Sequence, residues 1–329
     1  MKKDSLSFSL NSASIIALSL LFIVLSNTAK AQSLATWTMT KTDQYKPTLV
    51  AANVTAGLFS ADASFGVSFS NTTGFRLKQG QPWPTTPPST TNTFNIDFPL
   101  APKAGFDITL TNITFQTPST TITSGKTLLL TPFYQVDGKG NWLPFSAEQS
   151  VQLGTSTVTF SGLNLLLYNA HSYTIRLYLT SNSGATKSDY FSMFTTVFSG
   201  SIKTAAAVPT VTTTSATKSI IAPKYAGSVT GSYSTGSSFR PVLQSGVCWT
   251  TSASVPPDTS LTTKTTDGSN GTINDNITGL SAGTTYYVRA YAVTPADVLY
   301  GSTVSFTTDA PTAPILTTIA ASNLSLIHI

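Results

Sequence analysis

The chain has 329 residues, of which 9% are charged and 40% hydrophobic, and its formal net charge is +5. Setting aside Lys2, Lys3, Lys30 and Asp4 leaves a net of +3, scattered without a basic run, which removes the main electrostatic support for nucleic-acid binding. Thr, Ser, Gly and Pro abound, Glu148 is the only glutamate, and the Glu, Lys and Ala that long helices carry at exposed positions are missing, so composition indicates an all-β chain with long turns.

The N-terminus reads as an export leader. Lys2 and Lys3 precede an apolar run of eleven residues, Ile15 to Leu25, and Ala29-Lys30-Ala31 supplies the small-x-small signature of a cleavage site. A spanning helix needs roughly 18 apolar residues or more, so residues 1–31 are expected to be a signal peptide, with the mature chain starting at Gln32 and keeping no transmembrane segment. Cys248 is the single cysteine, which excludes an internal disulfide and, by its position, lipid attachment at the cleavage point. It lies in Gly246-Val247-Cys248-Trp249-Thr250, a strand by its composition, where it is expected to be a small buried hydrophobe.

Residues 32–200 read as one unit of strands. Trp37 and Met39 alternate, and Phe65, Val67 and Phe69 share one face. A proline-rich stretch around Gln81-Pro82-Trp83-Pro84 reads as a surface loop carrying an aromatic. Phe94, Ile96 and Phe98 alternate with Asn95 and Asp97. The next strand sets Phe106, Ile108 and Leu110 on one face, but Ile113 and Phe115 fall out of phase with them. A β-bulge near Thr111-Asn112 would restore a common face; a strand crossing between sheets is the alternative. Phe133-Tyr134-Gln135-Val136 runs into Asp137-Gly138, a hairpin turn. A calcium loop would need six to eight oxygens, and only Asp137 and Asn141 are local candidates. Tyr173, Ile175, Leu177 and Leu179 face one way, with Thr174, Arg176 and Tyr178 opposite, and His171 precedes them in a loop. Widely spaced antiparallel strands of this number suggest a jelly-roll-like sandwich. The run of strands from Phe94 to Phe115, Tyr134 to Phe145 and Ser172 to Tyr178 is similar to accessory sandwich domains of secreted proteins from polysaccharide-degrading bacteria.

A linker is expected at 201–208 and a second unit at 209–308. Its Leu280-Ser281-Ala282-Gly283-Thr284-Thr285-Tyr286-Tyr287-Val288-Arg289-Ala290-Tyr291 string resembles the E-to-F corner of a divergent bacterial fibronectin type III-like domain. The resemblance extends from Ser245 to Thr308, through Gly246-Val247-Cys248-Trp249 and Tyr300-Gly301-Ser302-Thr303-Val304-Ser305-Phe306-Thr307. It implies that Tyr286 is the structural tyrosine whose hydroxyl ties the corner to backbone upstream. The tryptophan usual on the family's second strand is absent between Tyr225 and Tyr233, which points to Trp249 as the core aromatic. Pro314 to Ser322 repeats the opening of the second unit, Pro209 to Thr217, after 105 residues. Residues 309–329 are therefore expected to begin a further, truncated repeat, with Leu324 to Ile329 outside any pattern.

Catalytic motifs are missing from the sequence: no phosphate loop, no His-Glu-x-x-His, no Cys-x-x-Cys and no Gly-x-Ser-x-Gly. Glycosidase chemistry needs two facing carboxyls, and Asp97 and Asp107 are the pair one could imagine meeting, although both alternate away from the apolar face and read as solvated. No catalytic residue, cofactor or metal is expected. Exposed aromatics can stack on the C–H face of a sugar, which makes Trp83, Trp142 and Tyr178 candidate carbohydrate-binding residues; capping of the core is the other role open to Trp83 and Trp142. The expectation is an all-β, monomeric, bacterial secreted or cell-surface protein of two tandem antiparallel sandwiches, with polysaccharide or a surface glycan as partner. The alternative is the N-terminal accessory region of an extracellular polysaccharide lyase or glycoside hydrolase.

Overall fold

The computed structural model describes residues 31–62, 65–70, 74–79, 95–117, 126–151, 155–181, 190–219 and 225–311. These contain strands and no helix, and they divide into two units at Ala205 and Ala206. Residues 1–30 of the expected leader and 312–329 of the further repeat expected at 309–329 lie outside the described residues.

In the first unit the strands are β1 (Gln32–Thr38), β2 (Leu49–Val50), β3 (Val54–Ala56), β4 (Ser60–Ala61), β5 (Phe65–Ser70), β6 (Gly74–Gln79), β7 (Asn95–Pro102) and β8 (Phe106–Gln116). They continue with β9 (Leu128–Val136), β10 (Lys139–Pro144), β11 (Gln149–Val151), β12 (Thr157–Phe160), β13 (Leu165–Leu167), β14 (Tyr173–Ser181), β15 (Tyr190–Met193) and β16 (Thr195–Thr204). One sheet runs β12-β8-β16-β1-β2, with β13 also on β8. The other runs β10-β9-β14-β7-β3, with β11 on β9 and β4 on β7, and a small sheet runs β15-β6-β5. Strands early in the chain thus lie beside late ones, β1 beside β16 and β7 beside β14.

The two larger sheets close on a shared aromatic core. The Trp37 ring meets Phe198 of its own sheet at 5.2 Å and Phe98 of the other sheet at 5.1 Å, both edge-on. Its indole N–H donates to Gly57 O at 3.1 Å, so the polar atom of this fully buried side chain is satisfied. Edge-to-face rings at this spacing stabilise beyond their buried area by about 0.5–1.5 kcal/mol each. In β5, Phe69 packs against Tyr45 and Phe75, while Val67 stays 36% exposed at the edge of its three-stranded sheet.

The expected bulge is present, and Thr111 is the extra residue. Ser199 of β16 pairs with Asn112 and Gly200 with Leu110, leaving Thr111 between them. Ile108, Leu110, Ile113 and Phe115 are consequently all fully buried. The bulge also divides the far edge of β8, because β13 pairs with Ile108 to Leu110 and β12 with Ile113 to Gln116. The linker expected at 201–208 requires correction: Ser201 to Thr204 continue β16 and pair with Thr109 to Phe106. Ile202 packs partly on the core, so the alternation outlasts the small, polar composition.

In the second unit, β17 (Val211–Lys218), β18 (Gly227–Tyr233) and β20 (Thr272–Ile277) form one sheet in that order. β19 (Gln244–Thr250), β21 (Thr285–Val293) and β22 (Val298–Tyr300) form the other, and β23 (Val304–Thr307) also pairs with β21. Both sheets are antiparallel, and the segments that carried the fibronectin type III resemblance fall on β19, β21 and β23. Trp249 lies only partly buried at the margin of the core. The space is filled instead by Phe306, stacked on Tyr286 at 5.9 Å between ring centres, and Gly227 makes room for it. A Cβ on Gly227 would sit 2.2 Å from the Phe306 ring.

Candidate functional site

The outer face of the first unit's β10-β9-β14-β7-β3 sheet carries the aromatic and charged side chains singled out above. β14 buries Tyr173, Ile175, Leu177 and Leu179, so Arg176 and Tyr178 must stand on the opposite face. Register supplies their neighbours: Arg176 lies opposite Asp97 of β7 and Phe133 of β9, and Tyr178 opposite Asn95 and Thr131. Trp142 comes from β10, the next strand out.

Arg176 joins the group. Its Nε and Nη2 donate to Asp97 Oδ1 and Oδ2 at 2.7 and 2.6 Å, a bidentate fork. Its Cζ lies 3.8 Å from the centre of the Trp142 ring, within cation–π range. Nη1 donates more loosely to the Tyr178 hydroxyl at 3.4 Å. Burial would lower the guanidinium pKa, but the hydrogen bonds it donates to Asp97 and Tyr178 and the Asp97 charge outweigh it, and the net displacement is upward. Arg176 is thus a pinned cation neutralised by Asp97, and Trp142 is an indole backed by it. Such an assembly is rigid and carries no net charge, which suits stacking against a flat partner rather than proton transfer.

Of the residues expected to bind carbohydrate, Trp83 lies outside the described residues. Trp142 is half-buried and takes no part in the core cluster. Tyr178 occupies the outer face as expected but needs correction as an open platform: it is 1% exposed, with its ring edge-on to Phe133 at 5.1 Å. A ring covered on this scale packs the sheet surface and offers no face to a ligand. Tyr286 accepts a hydrogen bond from Ser281 N–H at 2.8 Å, the tie across the corner that the resemblance implied.

The first unit holds a second corner of the same kind, at Tyr173, whose hydroxyl accepts from Tyr168 N–H at 2.7 Å. Ala170 takes φ 68° where Gly283 takes φ 57°, each three residues before its tyrosine. Arg176 and Arg289 each follow three residues after, and Arg289 Cζ lies 3.9 Å from the Tyr300 ring centre as Arg176 does over Trp142. The signal was available in the shared Leu-x5-Tyr-x-x-Arg-x-Tyr spacing of Leu167 to Tyr178 and Leu280 to Tyr291.

No family model and no curated protein matches the sequence. Solved structures bear a distant likeness. Chicken CNTN1 FN1-FN3 domains show 10% identity over 86% of this chain and 90% of that one, at a TM-score of 0.27. The adhesin domain of Epf from Streptococcus pyogenes shows 10% identity over 87% and 98%, at 0.20. A beta-1,2-glucanase from Parabacteroides distasonis shows 10% identity over 79% of this chain, which spans only 37% of the glucanase, at 0.20. Scores this low carry no inference about function.

The carboxylates are arranged differently from expectation. Asp97 and Asp107 lie on β7 and β8, in different sheets, and neither is a freely solvated strand residue. Asp97 is held by Arg176, and Asp107 is fully buried and accepts from Asn169 N–H at 2.8 Å. Asp137 and Gly138 form the expected two-residue turn, with φ of 51° and 65°, as a primed hairpin requires. The Asp137 oxygens are taken by Ser172 N–H and by His171 Nδ1, each at 2.8 Å. Desolvation pulls the Asp137 pKa upward, but the Ser172 and His171 bonds prevail and hold it below the usual carboxylate range. Cys248 is fully buried, and burial pushes its thiol up to about 11. The carboxyls that do meet are Asp267 and Asp275 in the second unit, which sequence reasoning missed because their contact depends on how a loop folds back.

Proposed function

We propose that this chain is an exported, non-catalytic modular protein whose first unit binds neutral carbohydrate by stacking a sugar ring on Trp142. The observation that carries the proposal is the placement of Trp142: outside the core, partly exposed on a sheet face, and backed by a guanidinium already paired to Asp97. An indole fixed from behind loses little side-chain entropy when a sugar stacks on it. Arg176 itself is neutralised by Asp97, so the guanidinium behind the indole is not left to select an anionic sugar. The second unit, built as a fibronectin-like sandwich, serves as spacer or adhesive segment at the cell surface or outside the cell.

The test is affinity electrophoresis of the chain from Gln32 onward in gels containing neutral plant and algal glycans, beside Trp142→Ala. The wild type should be retarded and the variant should run free, with thermal midpoints agreeing to about 2 °C, the shift expected for about 0.5–1 kcal/mol. Retardation on no glycan, or retardation unchanged in the variant, would reduce the first unit to a spacer. A stability loss of about 3–5 kcal/mol in the variant would instead mark Trp142 as core packing.

A further inference from the structure

The second unit contains a pair of carboxyls that the glycan reading does not use. Residues 263–268 fold back along β19, where Ser245 and Asp267 exchange backbone hydrogen bonds of 3.5 and 2.7 Å and Cys248 pairs with Lys264. Side chains fasten the same run. Val247 N–H donates to Thr265 Oγ1 at 2.9 Å, the Tyr291 hydroxyl to Thr265 O at 2.6 Å, and Ser245 Oγ to Gly268 O at 2.7 Å. From the other sheet, Asp275 of β20, 9% exposed, accepts from Thr265 Oγ1 at 2.5 Å.

Asp267 Oδ2 is closed off from solvent and receives no donor, and its neighbour is the Asp275 carboxyl. Two neighbouring ionised carboxylates repel, whereas one shared proton removes the repulsion and supplies the missing donor. Among the described residues, the cations of the elements packed around the pair are engaged elsewhere, and no hydrogen bond joins the remaining titratable groups to the two carboxyls. On the run itself, Lys264 Nζ donates to Thr259 O at 2.5 Å. On β19, Cys248 Sγ donates to Arg289 O at 3.7 Å. On β21, Arg289 donates to Pro257 O and lies over Tyr300, while Tyr291 is bonded to Gln244 and Thr265. Tyr233 is the titratable residue of β18, its hydroxyl buried and without a hydrogen-bond partner, and β20 brings Asp275 alone.

We propose that Asp267 and Asp275 share one proton, and that this proton latches residues 263–268 across β19 and β20, so that the run is held in mildly acidic medium and loosened as pH rises. Release would uncover the edge of β19, whose other side is paired to β21, and so make a sheet edge available for pairing only at higher pH. Desolvation, with the Asp275 charge and hydrogen bond added to it, pushes Asp267 up to about 6. A carboxyl raised in the folded state contributes its full stabilisation below the unfolded value of roughly 4 and loses it as pH climbs through about 6.

Hydrogen exchange of the Thr265 and Asp267 amides, measured in the full chain at pH 5 and pH 8, tests the latch. After correction for intrinsic rates, opening should rise about tenfold in the wild type across this interval. It should stay flat in Asp267→Asn, whose amide supplies the donor without titrating, and likewise in Asp275→Asn. An equal rise in wild type and both variants would overturn the proposal. Restored protection at pH 8 on adding calcium to the wild type alone would overturn it too, by showing that a cation and not a proton neutralises the pair.

Discussion

Two tyrosines do the same work in different units. Tyr286 and Tyr173 each accept a hydrogen bond from a backbone N–H five residues upstream, closing the turn that feeds a central strand. Replacing either by phenylalanine leaves the ring in place and strands one buried donor. Tyr286→Phe and Tyr173→Phe should therefore each cost about 0.5–1.5 kcal/mol in urea unfolding, with Tyr287→Phe, on the opposite face of β21, costing almost nothing. Equal costs for Tyr286 and Tyr287 would mean that the faces of β21 are reversed. The residue scale also explains why Tyr178 failed as a platform. Alternation told which face it occupies, but Phe133 and Arg176 on that face cover it.

At the scale of the element, β8 shows how one inserted residue serves a whole sheet. Without Thr111 looped out, either Ile108 and Leu110 or Ile113 and Phe115 would face solvent, and several kcal/mol of apolar burial would be forfeited. Gly200 lies opposite this point. A Cβ there would stand 2.0 Å from Thr109 O and 2.9 Å from Leu34 Cδ1. Gly200→Ala should thus part the β8–β16 ladder and cost about 1–3 kcal/mol, as overpacking does. Gly138→Ala is the contrast: its φ is +65° but nothing lies within 4 Å of the added atom, so only backbone strain of about 1–2 kcal/mol applies. Chemical denaturation of both variants, with exchange of the β16 amides, separates a broken ladder from a strained turn. Protected β16 amides in Gly200→Ala would contradict the reading.

For the whole molecule, each unit has its own core: Trp37, Phe98, Phe115 and Phe198 anchor the first, and Val229, Val247, Tyr286 and Phe306 the second. No helix among the described residues is long and apolar enough to cross a membrane. The strand β1 begins at Gln32, the residue at which the leader pattern places the mature N-terminus. N-terminal sequencing of the protein recovered outside the cytoplasm should therefore start at Gln32, and an exported form that retains Met1 would contradict the leader.

Alternation and turn chemistry make much of this protein legible in its sequence. Period two marks the buried faces of β7, β8, β14 and β21, the phase slip puts a bulge near Thr111-Asn112 with a crossing strand as the alternative, and Asp137-Gly138 announces its hairpin, because each of these is set by residues a few positions apart. The Tyr286 corner belongs to the same class, its two partners being five residues apart. What only the tertiary structure decided depends on distant segments coming together. Arg176 takes its meaning from Asp97, 79 residues away, and from Trp142 two strands over; neither pairing follows from local spacing. Asp267 meets Asp275 because the 263–268 run crosses from β19 to β20, and Asp97 misses Asp107 because β7 and β8 join different sheets. Strand faces follow from covalent geometry, which repeats every two residues, whereas neighbours across a sheet follow from topology, which brings together residues that no local pattern connects.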